Sequence, residues 1–285
     1  MSHYVLFTDS ACDISADLLA KWKVSFAELS FNAEGKTYTN SEMPVTDFYN
    51  QMRGGTVFKT TAVNIGEFKE LFAPELEQGN DLLYIGFSSG LSNTVNAARL
   101  AAEELAELYP QRKLMVVDSL CASSGQGLLV YLAAKKMAEG ASLEEVAAYA
   151  EETKKNLCHW FTVDDLVYLK RGGRVSATAA LAGAVLGIKP VLHVDDEGHL
   201  INVSKVRGRK QSIQALFKKY QELALDKQGE YFISHGDCLE DAKYLESLVE
   251  KEYGVKATVI SDIGPVIGSH SGPGTLAFFF LGKNR

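Results

Sequence analysis

The chain has 285 residues, 46% hydrophobic and 23% charged, an ordinary globular profile with length enough for a large core and for two domains. Its net charge of −7, from 29 basic and 36 acidic residues, argues against a nucleic-acid binder. Cys12, Cys121, Cys158 and Cys238 stand far apart with no C-x-x-C pair. They read as separate buried thiols in a reducing compartment, not as disulfides or metal ligands.

No signal-peptide pattern precedes the first strand, and the longest low-charge run, 175–188, is too short and too rich in Ala and Gly for a bilayer span. The expectation is a cytoplasmic protein without stable membrane insertion, making at most transient membrane contact.

In chain order, apolar runs alternate with amphipathic segments. Strands are predicted over 4–7, 82–87 and 114–117, with helices over 15–23, about 94–108 and about 125–138. Ser142-Leu143-Glu144-Glu145 has the form of a capping box and opens a helix ending near Asn156. This alternation predicts βαβ units and a mostly parallel sheet flanked by helices. The second half reads differently. A strand over 158–163 leads into a short helix ending in Arg171-Gly172-Gly173-Arg174, and a small-residue helix over 176–186 follows. Runs at 190–194 and 200–206 flank Asp195-Asp196-Glu197-Gly198, a hairpin signal. Helix, strand, helix and strand come next, and an apolar strand over 276–281 closes the chain. The reading is two α/β domains, 1–157 with a parallel sheet and 158–285 with a mixed sheet.

Polar residues gather at strand ends. Gly86-Phe87-Ser88-Ser89-Gly90-Leu91-Ser92-Asn93-Thr94 follows a strand and opens a helix, with Ser92 as the candidate N-cap. Unpaired amides and the helix dipole there suit a carboxylate or phosphate, although a plain capped helix explains the pattern equally well. Thr8-Asp9-Ser10 and Asp118-Ser119 hold the same strand-end position, so Thr8, Asp9, Ser88, Ser92, Asp118 and Ser119 are candidates to line one crevice. Turn and capping chemistry is the plainer reading of the Asp-Ser pairs. Thr60 and Thr61 precede a helix from about Gly66 and read as caps or as hydroxyls offered to a ligand. Val266-Ile267-Gly268-Ser269-His270-Ser271-Gly272-Pro273-Gly274 reads as a glycine-rich polar turn ahead of the last strand. Basic residues crowd into 170–210, where Lys205-Val206-Arg207-Gly208-Arg209-Lys210 is dense enough to suggest an anionic partner. A hydrolase triad can also be drawn from Ser88 or Ser92, His270 and Asp9 or Asp118, and Gly86-Phe87-Ser88-Ser89-Gly90 fits G-x-S-x-G by its letters. No second oxyanion donor is evident.

These motifs, in this order and over the whole length, resemble the DegV family of bacterial fatty-acid-binding proteins, which includes the FakB subunits of fatty acid kinase. The resemblance rests on Thr8-Asp9-Ser10 with Asp13, Ser88-Ser89-Gly90-Leu91-Ser92, Asp118-Ser119 and Leu169-Lys170-Arg171-Gly172-Gly173-Arg174-Val175-Ser176. It extends to Ile188-Lys189-Pro190, Lys205-Val206-Arg207 and Gly268-Ser269-His270-Ser271-Gly272-Pro273-Gly274. It implies one long-chain fatty acid between the two domains, its tail buried and its carboxylate held by Thr61, Ser92 and His270, with the Asn93 amide beside them. No cofactor or metal is implied.

Two departures stand out. Thr60-Thr61-Ala62-Val63-Asn64 replaces a usual T-S-Q-P-S segment, and Asn93 replaces a usual glycine. Ala180 and Ala184 on the small-residue helix, with Phe278, are the expected tail contacts. Burying about 14 methylenes at about 0.8 kcal/mol each gives on the order of 11 kcal/mol before entropic losses. The resemblance further implies that the chain is not itself the catalyst but presents the carboxylate to a FakA-like kinase catalytic subunit, which makes acyl phosphate from ATP for phospholipid synthesis. Arg207 and Arg209, with Lys170, Arg171 and Arg174, are the expected partner-facing surface. A serine esterase acting on acyl substrates, and a lipid sensor or store without a kinase partner, are the alternative readings.

Overall fold

The computed structural model describes residues 3–175 and 187–285. The parallel sheet predicted for the first half is present with four strands in the order β2-β1-β6-β7. They are β1 (Tyr4–Asp9), β2 (Val24–Ala27), β6 (Asp81–Gly86) and β7 (Leu114–Asp118), and every pairing is parallel. A small antiparallel sheet not anticipated from the sequence, in the order β4-β3-β5, lies between them in the chain. It is built from β3 (Ser30–Ala33), β4 (Lys36–Thr39) and β5 (Lys59–Thr61). The second sheet has six strands in the order β10-β9-β8-β13-β11-β12. These are β8 (Leu157–Thr162), β9 (Ile188–Val194), β10 (Leu200–Arg207), β11 (Tyr231–His235), β12 (Val259–Asp262) and β13 (Leu276–Leu281). Only β11 and β12 run parallel, so the sheet is mixed.

The described helices are α1 (Ala16–Lys21), α2 (Val45–Arg53), α3 (Ile65–Glu77), α4 (Thr94–Leu108), α5 (Ser124–Ala138), α6 (Leu143–Thr153), α7 (Val167–Arg171), α8 (Arg209–Leu223), α9 (Leu239–Tyr253) and α10 (Pro265–Ser271). Helix α5 joins the two halves of the chain. Its residues from Ser124 to Val130 are all buried, and it packs against β6 on one side and β8, β11 and β13 on the other. A helix apolar all round belongs in a core. Leu83 and Val117 of the parallel sheet and Leu192, Phe232 and Phe279 of the mixed sheet meet across it in one cluster. The outer face of the parallel sheet is covered by α3 and α4, and that of the mixed sheet by α8 and α9.

Loop ends are closed by short-range chemistry. Ser142 and Glu145 form the capping box read from the sequence. Asn64, not Thr60 or Thr61, caps α3, in a second box with Glu67. The stretch expected to be a polar turn is instead the short helix α10. Pro265 presets its first turn, and Gly268 allows close packing, since a Cβ there would lie 2.7 Å from Tyr49 Oη. The segment 176–186, with Ala180 and Ala184, lies outside the described residues.

Candidate functional site

A cavity of about 290 Å³ lies between one face of the mixed sheet and the loops after β6 and β7, with β5 and α10 beside them, close to the lower end of the range of about 300–1,000 Å³ for small-molecule pockets. Its polar end is formed by Thr60, Thr61, Ser92, Asn93, Arg174 and His270. Thr61 and Asn93 are solvent-exposed there, whereas Phe161, Ala277 and Phe279 of the apolar end are buried. Arg174 is the only permanently charged side chain lining the cavity among the described residues, and no carboxylate lines it.

The residues of the polar end come from four elements. Thr60 and Thr61 sit on β5, held in register against Phe31 and Ser30. Ser92 and Asn93 precede α4. Ser92 Oγ lies 2.9 Å from Thr94 Oγ1 and accepts from the Thr94 amide at 3.3 Å. The helix therefore starts one residue later than a Ser92 N-cap implies, and Asn93 in the cap position makes no capping bond. His270 stands in the last turn of α10, its Nε2 2.8 Å from Thr60 Oγ1. Its Nδ1 faces Gly172, where a Cβ would come within 2.1 Å, and has no hydrogen-bond partner among the described residues. Burial first, and the charge of Arg174 second, push the imidazole down to about 4, so it is neutral at pH 7.

Arg174 was expected on a partner-facing surface and is instead half-buried beside His270. Its Nε and Nη2 donate to the Leu91 carbonyl at 3.2 and 3.0 Å, and its Nη1 donates to the Gly172 carbonyl. These bonds hold the guanidinium but leave its charge without a counter-ion among the described residues. Arg209 is also committed within the fold, donating to Asp241 Oδ2 at 2.8 Å and lying 3.7 Å from Asp164 Oδ1. Lys170, Arg171 and Arg207 are exposed, with Arg171 over the Tyr168 ring at 5.6 Å.

Strand parity moves the tail contact. Phe278 points away from the cavity, between Tyr220 and Tyr231 at centroid distances of 5.1 and 5.4 Å, while Ala277 and Phe279 line it. Of the strand-end candidates only Ser92 reaches the cavity. Asp9 accepts from Tyr84 Oη at 2.6 Å and from the Phe87 and Ala11 amides. Asp118 accepts from the Ser89 and Leu120 amides, and Ser88 donates to the Gly198 carbonyl at 3.0 Å, tying the loop to the β9–β10 hairpin. These are turn and docking contacts. The triad that could be drawn on paper is not assembled among the described residues, because His270 bonds Thr60 and Ser92 bonds Thr94. No group of three or more metal-ligating side chains is gathered among the described residues, and no described helix is long and apolar enough to cross a membrane.

Sequence reasoning missed the pairing of His270 with Thr60, the inward Arg174, and the Phe278 parity. Only the last left a signal: period-two spacing from Thr275 marks Ala277 and Phe279 as one face.

This geometry defines an α/β protein with a largely apolar cavity whose mouth is cationic and hydroxyl-rich. Residues 3–283 match the model of the DegV family, described as an uncharacterised protein, and the chain belongs to that family. It is 43% identical to a DegV domain-containing protein of Clostridium perfringens over 100% of this chain and 99% of that one. Among solved structures it is similar to a DegV family protein from Thermus thermophilus described for its fatty acid binding, with TM-score 0.86 and 30% identity, covering 97% and 98% of the two chains. It is likewise similar to a DegV lipid-binding protein from Thermotoga maritima, with TM-score 0.85 and 30% identity over 99% of each chain.

Proposed function

We propose that this chain binds one long-chain fatty acid, with the tail along the apolar wall and the ionised carboxylate at the mouth. The observation that carries the reading is the charge balance of the cavity: Arg174 is its lone lining charge among the described residues, half-buried and without an acid. An anionic head group supplies the missing counter-charge, and an alkyl chain matches the walls of Leu29, Val266 and Phe279. Thr60 and neutral His270 form one side of the head-group cage, Thr61, Ser92 and the Asn93 amide the other. Family membership and the fatty-acid-binding structural neighbours support the same ligand class.

The finer role is presentation of that carboxylate to a FakA-like kinase subunit in the cytoplasm, for phosphorylation to acyl phosphate. Thr61 and Asn93 are exposed at the mouth, which gives a second protein access to the head group. Exposed Lys170, Arg171 and Arg207 are the candidate docking charges; Arg174 and Arg209 are not.

Extraction of the purified protein with organic solvent, followed by mass spectrometry, is expected to yield about one free fatty acid per chain; a protein that neither carries nor takes up a fatty acid refutes the reading. Charge reversal at Arg207 is expected to slow acyl-phosphate formation in a coupled kinase assay and to leave fatty-acid binding intact. Unchanged turnover places the docking surface elsewhere.

A further inference from the structure

Away from the mouth, one buried carboxylate ties together segments from both halves of the chain. Asp13 follows β1 in the left-handed region, at φ 51, and is 8% exposed. Its Oδ1 accepts from the Gly264 amide at 2.9 Å, and its Oδ2 accepts from Ser123 Oγ at 2.6 Å. Ser123 Oγ is also 2.9 Å from Ser234 Oγ on β11, so the hydroxyls form a chain in which Ser234 donates to Ser123 and Ser123 to the carboxylate. Gly264 is the cap residue of α10 and has no side chain to satisfy its helix end. A residue 251 positions away performs that office, its Oδ1 accepting from the Gly264 amide.

Ser123 is the second unusual feature. It has φ 53 and ψ −149, a region that non-glycine residues occupy only when their surroundings force them to. It lies immediately before α5 and lines the cavity. The Asp13 bond supplies part of that forcing.

Helix α10 spans barely two turns, so its own hydrogen bonds do not fix its direction in the molecule. Along the cavity it presents Val266, Ile267, His270 and Ser271. Its N-terminal end is held by Asp13, and its C-terminal end meets Thr60 through His270. We propose that Asp13 is a positioning residue of the head-group site: by joining the Gly264 amide to Ser123 it sets the tilt of α10, and through it the contact of His270 with Thr60. The ligand part of this inference rests on the fatty-acid reading, whereas the His270–Thr60 contact belongs to the protein alone.

The test compares the full chain with Asp13→Asn, Asp13→Ala and Ser123→Ala by two measurements. One is displacement of a fluorescent acyl probe by palmitate; the other is the nitrogen resonances of the His270 ring, assigned through His270→Gln. Asp13→Ala is expected to weaken palmitate binding about tenfold or more and to shift the His270 resonances. Asp13→Asn keeps an acceptor for the Gly264 amide and a polar partner for Ser123, and is expected to stay within about threefold of the parent chain. An Asp13→Ala protein with a lowered melting temperature but unchanged His270 resonances and palmitate affinity overturns the proposal. Should that variant not fold, Ser123→Ala removes one of the two bonds and carries the test: a smaller shift of the same resonances supports the proposal, and none overturns it. If palmitate binds no form of the protein, the fatty-acid reading fails and the His270 resonances alone decide the role of Asp13.

Discussion

His270 Nε2 and Thr60 Oγ1 lie 2.8 Å apart across 210 residues of sequence, and this bond joins the last helix to the edge of the small antiparallel sheet. The ring on the other side of that bond is neutral and its Nδ1 has no partner among the described residues, so the imidazole depends on Thr60 for its one satisfied contact.

Thr60→Val keeps the shape of the side chain and removes the hydroxyl. It leaves a largely buried imidazole with both nitrogens unpartnered, at a cost of about 1–3 kcal/mol. Fatty-acid affinity is expected to fall about tenfold or more, with a lower melting temperature. Thr61→Val is expected to cost affinity without stability, because Thr61 is exposed. Displacement titrations and thermal melts on both variants separate the two hydroxyls; equal effects would mean that the His270 bond has no special part in the site.

The parts of this arrangement readable in the sequence were those carried by local periodicity. Strands β1, β6 and β7 are apolar runs of five or six residues, α5 opens as a continuously buried segment, α4 and α6 repeat their apolar residues at helix spacing, and a capping box marks the start of α6. The small sheet escaped because its strands are three or four residues long, and Lys36–Thr39 and Lys59–Thr61 carry almost no apolar pattern. Helix α10 escaped because its glycines and serines have poor intrinsic helix propensity, and tertiary contacts with Tyr49, Asp13 and Thr60 override it. The family resemblance brought Ser92 and His270 to one place. Neither composition nor spacing could turn Arg174 inward, since that depends on the Leu91 and Gly172 carbonyls that receive it.

Gly172→Ala tests the wall behind the imidazole. The backbone there is ordinary helix, φ −73 and ψ −11, so alanine strains nothing by itself. Its Cβ, however, would sit 2.1 Å from His270 Nδ1. The ring must move off Thr60, and affinity is expected to fall about as far as in Thr60→Val. At Gly173 the balance is reversed: φ is +72 and the space is open, so Gly173→Ala is expected to cost about 1 kcal/mol of stability and little affinity. Parent-like fatty-acid binding by Gly172→Ala would show that His270 can relocate without consequence.

The position of His270 also fixes a pH dependence. Its imidazole titrates near 6.5 in an unfolded chain and is pushed down to about 4 here, by burial and then by Arg174. Between those values the unfolded chain takes up a proton that the native state refuses, so stability falls as pH drops through the window and stops falling below it. The full contribution is on the order of 3 kcal/mol. Buried His159, also held well below its usual range, adds to the same trend. Asp9 and Asp13 act in the opposite sense: burial raises their carboxyls above the usual value of 3.8, and they lose stability as pH rises through their own window. Urea unfolding of the parent and of His270→Gln from pH 7.5 to 4 isolates the histidine, in steps of about 0.5 unit. The variant is expected to show the shallower decline, and parallel curves would mean that His270 is protonated as readily in the native state as in the unfolded one.

Substitutions on β13 test whether its wall limits the length of a bound acyl chain. Ala277 and Phe279 line the cavity, and Phe278 lies on the far face against Tyr220 and Tyr231. Ala277→Leu adds three carbons to the wall and displaces about as many methylenes of the ligand, worth about 0.8 kcal/mol each. The fatty acids extracted from this variant are expected to be shorter by about two to three carbons, read as a shift in the mass spectrum. Phe278→Leu changes a comparable volume on the opposite face and is expected to lower stability by about 1 kcal/mol while leaving the extracted chain lengths unaltered. The pair controls for general loosening of the sheet. The same shift in both variants, or none in Ala277→Leu, would mean that the acyl chain runs away from β13 and that another wall measures it.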